Sequence, residues 1–174
     1  MAEGNGWDAL HNGGSTTFLR ILNESTFEWT SNESTARISA ATYYRNAEGV
    51  IYHEGLLYFT AKKTRTLFIL DLEKMTYESE KTGLQFSGKG SFNAQPDQIV
   101  LGNYKRWIYF TEDGGTTPGV YVRDLDGTYY TLFEAIEGSV YSGDNNNSSD
   151  ETVGIALSPD RRKLYAGVSF FPYI

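Results

Sequence analysis

The sequence predicts an all-β fold assembled from repeated four-stranded antiparallel sheets. Three observations predict it. Short runs of apolar, aromatic and β-branched residues alternate with turn residues, and none follows a helical period. One stretch, Gln95 to Phe133, holds a complete set of four such runs. That set recurs, whole or in part, on both sides of itself.

The complete unit opens at the turn Gln95-Pro96-Asp97 and continues as Ile99-Val100-Leu101, with a break at Gly102-Asn103. Trp107-Ile108-Tyr109-Phe110 is the second run. The acidic pair Glu112-Asp113 closes it and opens a Gly/Pro loop, Gly114 to Gly119. Val120-Tyr121-Val122 leads to Asp126-Gly127, a pair that predicts a type I′ hairpin turn. The last run is Tyr129 to Phe133. Four short runs joined by turns make a meander.

Leu56-Leu57-Tyr58-Phe59-Thr60 returns as Trp107-Ile108-Tyr109-Phe110-Thr111 and again as Lys163-Leu164-Tyr165-Ala166-Gly167. The central tyrosines, Tyr58, Tyr109 and Tyr165, stand at intervals of 51 and 56 residues. Asp71-Leu72 matches Asp124-Leu125, 53 residues on. Repeats of about 40 to 50 residues with four strands each are the signature of a β-propeller. Thr17 to Leu22 and Thr26 to Trp29 match the outer two strands of a blade. The chain therefore reads as one incomplete propeller domain, residues 1–174. It holds outer strands at 17–30, a blade at 47–86, a blade at 95–135 and inner strands of a last blade at 151–170.

Strands are expected near 18–22, 26–30, 50–53, 56–60, 67–71, 75–79, 98–101, 107–111, 119–123, 128–133, 154–157 and 163–167. Helix is expected to be nearly absent, with Ser31 to Arg45 as a connection. About three blades do not close a ring, since propellers use about 4 to 8. Unpaired sheet edges are expected at both ends. Another protein chain, or the missing blades, is expected to cover residues 152–174, where Val168 to Ile174 is apolar.

Composition narrows the function classes. Aromatics are 15 % of the chain and Gly numbers 18, which suits strands and tight turns. The net charge of −7 argues against a nucleic-acid partner, which needs clustered Lys and Arg. Lys62-Lys63 and Arg161-Arg162 sit at strand ends and read as solvated turns. Cysteine is absent, so neither disulfide nor thiolate chemistry is available. No run approaches the roughly 18 apolar residues of a membrane span. The polar start, Met1 to Gly6, is no signal peptide. Asn23, Asn32, Asn146 and Asn147 lie in Asn-x-Ser sequons, which would allow glycosylation in a secreted or lumenal protein.

Aligned on their tyrosines, the units carry carboxylates just before each inner strand: Glu48, Asp97 and the pair Asp150-Glu151. The second-to-third-strand loop returns to the same end, and there one unit carries Glu112-Asp113. In the preceding unit Ala61-Lys62 occupies that column. Hard oxygen ligands converging from neighbouring blades suit Ca²⁺, which takes about 6 to 8 oxygens in irregular geometry. The alternative is that Asp97 and Asp150 make Asx turns and Glu48 is solvated. Gly83 to Gly90 resembles a phosphate loop but lacks the hydroxyl residue after Lys89 and the following helix. Asp144 to Asp150 reads as a flexible acidic insertion, without the glycine and glutamate of an EF-hand. His53 falls at the opposite end from the carboxylates, and His11 in an irregular segment.

Three segments carry a resemblance. Ala47 to Phe59 is similar to the blade opening of calcium-binding six-bladed propellers. Gln95-Pro96-Asp97-Gln98-Ile99, with Tyr109-Phe110-Thr111-Glu112-Asp113-Gly114, resembles a segment of PhoX-type alkaline phosphatases. Glu151 to Tyr165 is like the blade start shared by gluconolactonase-like and other propellers. Together the resemblance spans Glu3 to Ala166. It implies a partial chain of a calcium- and iron-dependent phosphoesterase, with Glu48, Asp97, Glu112, Asp113 and Glu151 as metal ligands. The family's iron site includes a cysteine, which this chain lacks. The alternative implied by the missing blades is a non-catalytic propeller subunit that mediates protein–protein interaction within a larger assembly.

Overall fold

The computed structural model describes residues 14–84, 92, 95–102, 107–114, 117–135 and 151–169. His11, the loop at 85–90, the insertion at 144–150 with Asn146 and Asn147, and the tail at 170–174 lie outside them.

The described residues form an all-β architecture of four antiparallel sheets. β1 (Phe18–Ile21) pairs with β2 (Phe27–Thr30). β3 (Ala47–His53), β4 (Leu56–Ala61), β5 (Thr66–Asp71) and β6 (Thr76–Lys81) form a four-stranded meander. A second meander holds β7 (Gln95–Leu101), β8 (Ile108–Asp113), β9 (Gly119–Arg123) and β10 (Tyr129–Glu134). β11 (Glu151–Leu157) pairs with β12 (Leu164–Ser169). Each expected strand is present, most of them a residue or more longer than the apolar run alone indicates.

Strand alternation explains the stacking. Side chains two apart share a face, and the first meander buries both of its faces. Phe59, Ala61, Phe68, Leu70 and Tyr77 pack with Ile21 and Phe27 of the β1–β2 sheet. Phe59 and Phe68, paired across β4 and β5, stack with ring centroids 4.9 Å apart. On the other face Leu67, with Tyr58 and Ile69 beside it, joins Phe92 and, from the second meander, Ile99, Ile108, Phe110, Tyr121 and Tyr129. The first meander is therefore a middle layer, which is why its strands are apolar at successive positions rather than strictly alternating.

Helix is nearly absent among the described residues, and what is corrected is the reading of Ser31 to Arg45 as a connection without regular structure. Residues Glu33–Tyr43 form an α-helix, α1. Asn32 caps it by accepting from Thr35 N–H at 3.2 Å, and Arg37 pairs with Glu33 one turn back. Only Ala36 and Ser39 of this helix are buried, so its sequence carries no apolar stripe. The expectation of an open N-terminal edge is corrected as well. α1 lies along the outer edge of β1, where Ile21 N–H donates to Ser39 Oγ at 2.8 Å and Tyr44 Oη donates to Leu19 O at 2.5 Å. Covering an edge with a helix is one way to prevent strand addition.

The type I′ turn is also relocated. Glu54 and Gly55 both have positive φ, 47° and 85°, in the two-residue hairpin between His53 and Leu56. At Asp126-Gly127 only the glycine does, at 82°, and Asp124 N–H donates to Thr128 O across a three-residue loop. Asp124 Oδ1 holds that loop by accepting from Asp126 and Thr128 N–H.

A buried ion pair joins β6 of the first meander to β9 of the second. Arg123 of β9 grips Glu80 of β6 through both Nε, at 2.6 Å, and Nη2, and Tyr129 Oη donates to the same carboxylate at 3.0 Å. Both charged side chains are largely buried. Losing one partner of a buried pair strands the other charge, at a cost of about 3 kcal/mol or more. Glu80→Ala is expected to lose about that much stability in denaturant titration, and Arg123→Met with Glu80→Met together to lose less than either alone.

Candidate functional site

β3 and β7, the first strands of the two meanders, and β11 are each interrupted by a β-bulge. In β3, Glu48 and Gly49 together oppose Thr60. In β7, Asp97 and Gln98 oppose Thr111. In β11 the extra residue is Gly154. Bulges turn a side chain away from the regular alternation and often stand beside functional sites. Here they turn Glu48 and Asp97, the two carboxylates that the repeat alignment singles out.

The bulges also let strands of different sheets meet through their backbones. A Cβ at Gly49 would stand 2.5 Å from Ile99 N and 2.8 Å from Asp97 O, so only glycine fits. Thr60 Oγ1 donates to Asp97 O at 2.7 Å, and Gln98 N–H donates to Thr111 Oγ1 at 3.0 Å. At the next boundary Thr152 Oγ1 accepts from Glu112 N–H at 2.7 Å and donates to Gly119 O at 2.6 Å. Buried hydroxyls thus satisfy the polar groups that the bulges leave unpaired.

Four of the five expected ligand residues are brought together. Lys62, in the turn after β4, forms an ion pair with Asp113 and stands 3.9 Å from Glu48. Glu151, at the start of β11, hydrogen-bonds to Asp113, and the charge of Asp97 acts on both Lys62 and Glu151. Glu112 does not join them. It is adjacent to Asp113 on a strand and so faces the other way, where it is 2 % exposed and its Oε2 lies 2.8 Å from Tyr121 Oη. Burial, with Glu112 and Glu134 close by, pushes the Tyr121 hydroxyl far up, so it remains a donor.

The reading of Lys62 as a solvated turn is corrected: its side chain is 16 % exposed and ion-paired. Lys63, Arg161 and Arg162 remain exposed. Asp97 makes no Asx turn within a loop. It sits inside β7 and its Oδ1 accepts from Gln98 Nε2 at 3.2 Å. His53 lies at the far end of β3, with Nε2 3.6 Å from Glu54.

The electrostatics follow from crowding. Burial works against the Lys62 ammonium, but Asp113, then Asp97 and Glu48, outweigh it and raise its pKa. Burial works against the Asp113 carboxylate too, yet Lys62 and the hydrogen bond from Glu151 lower its pKa. Burial first, and the neighbouring Asp113 second, push Glu151 up to about 7. Glu151 is therefore the carboxyl of the pair that keeps its proton to higher pH, and Asp113 the one that accepts its hydrogen bond.

As the side chains stand they do not fit Ca²⁺. Among the described residues no three His, Asp or Glu side chains are grouped so as to hold a metal ion. The Lys62 ammonium takes up carboxylate oxygens that such a cation would use. Among the described residues no helix is long and apolar enough to cross a membrane. No protein-family model and no curated protein matches this chain.

Glu151 gives the cluster a pH dependence with a definite sign. Its folded pKa lies above its ordinary value, so its contribution to stability is complete below about pH 4.5 and is lost as pH rises through about 7. Asp113 acts oppositely, and its contribution is lost as pH falls below the ordinary carboxylate range. Between about pH 5 and 8 the melting temperature of the wild type is expected to fall more steeply than that of Glu151→Gln. Parallel melting profiles for the two proteins would remove Glu151 as the source.

Proposed function

We propose that the chain is a β-propeller segment that works as an interaction module, with the β11–β12 sheet as the place where a partner adds. The observation that carries this is the unequal size of the sheets. Two meanders have four strands, whereas β11 and β12 stand in the same relation to their neighbour with two. Among the described residues nothing pairs with the outer edge of β12. Tyr165 and Val168 on it are 57 % and 41 % exposed.

The occupant that fits is an extended apolar strand pair from another polypeptide segment, completing the sheet to four. Main-chain hydrogen bonds along the edge would supply affinity, and alternate side chains specificity. The β1–β2 sheet of a second copy is unsuited to this place, because α1 covers the edge of β1 that would have to pair. Light scattering at micromolar concentration tests the edge. With no such partner present, two exposed β12 edges are expected to pair with each other, so the wild type should associate, and Val168→Lys, which blunts the edge with a charge, should run as a monomer. A compact wild-type monomer would count against the reading.

A second reading has one observation in its favour. Glu48, Asp97, Asp113 and Glu151 converge from four strands, as the resemblance to PhoX-type phosphoesterases implies for a metal-dependent site. On this reading a fuller ring would carry the remaining ligands and the activity. Phosphate-ester hydrolysis with Ca²⁺ and Fe³⁺ supplied distinguishes the two. The interaction reading expects no turnover above buffer, and turnover that Asp97→Asn abolishes would favour the phosphoesterase.

A further inference from the structure

We infer that Lys62 supplies from within the chain the positive charge this carboxylate cluster requires, in the place a metal ion would otherwise take. Glu48, Asp97, Asp113 and Glu151 come from β3, β7, β8 and β11, which belong to three different sheets. Carboxylates drawn together repel, so such a cluster needs a cation, a proton or both. Lys62 reaches it from the β4–β5 turn, at a place separate from the Arg123–Glu80 pair, where the elements otherwise meet through packing and a few hydroxyls.

The repeat shows how the arrangement arises. Lys62 follows Tyr58 by four residues, and Asp113 follows Tyr109 by four. The two occupy one position of the repeat and carry opposite charges. With an acid at both positions, adjacent units would add a fifth like charge. With lysine at one, the position becomes an ion pair across the boundary between sheets.

Lys62 is held for this task by its backbone. Its N–H donates to Asn46 O at 2.9 Å, its carbonyl accepts from Arg65 N–H at 3.1 Å, and Arg65 takes a positive φ of 51° to close the turn. An ammonium presents three donors and no acceptor, so it can bridge several carboxylates as a small cation does. It differs in being tethered, which makes the tie independent of metal supply. The inference concerns the carboxylate end of the sheets and does not depend on a partner at β12.

Calorimetry with Ca²⁺ and thermal melts test it on the wild type, Lys62→Met and Lys62→Arg. The wild type is expected to show no Ca²⁺ binding heat and an unchanged melting temperature in millimolar Ca²⁺. Lys62→Met is expected to melt several degrees lower and to recover most of that loss in millimolar Ca²⁺, while Lys62→Arg melts with the wild type. Stoichiometric Ca²⁺ binding by the wild type, an undiminished Lys62→Met, or a loss in Lys62→Met that Ca²⁺ leaves unrepaired would each overturn the inference. If Lys62→Met does not fold, the wild type and Lys62→Arg still decide it. A Ca²⁺-dependent rise in either melting temperature would overturn the tethered cation, and its absence in both would uphold it.

Discussion

The backbone contact between β3 and β7 at Gly49 sets the geometry on which the rest depends. Two strands of different sheets can approach this closely only where one of them lacks a Cβ. They can do so without unpaired polar groups only where hydroxyls meet the bulges. Thr60 and Thr111 are those hydroxyls, and both are buried. Once this boundary is drawn tight, the ends of the sheets converge, and the carboxylates at the bulges have nowhere else to point. The charge cluster is thus a result of backbone packing before it is a matter of chemistry.

The same packing assigns different work to the two neighbouring acids of β8. Asp113 looks toward the boundary and belongs to the ionic tie. Glu112 looks into the layer between the meanders and belongs to a hydrogen-bonded group with Tyr121 and Glu134. The two meanders are held by unlike means at their two ends: carboxylates around a lysine at one, and the Arg123–Glu80–Tyr129 group further along the shared face. Apolar side chains, Phe110 and Tyr121 among them, fill the space between. Polar groups at fixed places specify the register of this packing, while the aromatic layer supplies most of the burial.

The strands were legible because β-branched and aromatic runs bounded by turn residues leave few alternatives, and the spacing of Tyr58, Tyr109 and Tyr165 ties the copies together. Helix α1 was illegible for a physical reason. Its contact with β1 runs through Ser39, Ala36 and the following Tyr44 rather than through a row of large apolar residues, so no period stands out. Asn32 with Glu33 was the available signal. Glu48, Asp97, Asp113 and Glu151 could be grouped from the repeat alone. Glu112 could have been separated from Asp113 by strand alternation. Lys62 marked the right column, but its pairing across a boundary depends on how two sheets are angled, which no local pattern encodes.

The covering of β1 by α1 bears on how large any assembly can grow. A chain whose two ends are both receptive strands could add copies head to tail without limit, because a heterologous contact that does not close a ring extends into a fibre. Here Ser39 and Tyr44 occupy the outer edge of β1, and on the interaction reading proposed above the outer edge of β12 would be the receptive one. On that reading, addition at β12 would end where it begins, and the helix would act as a stop that keeps stoichiometry finite. A short Ser- and Ala-rich helix would thereby keep an aromatic-rich, strand-rich chain from templated polymerisation.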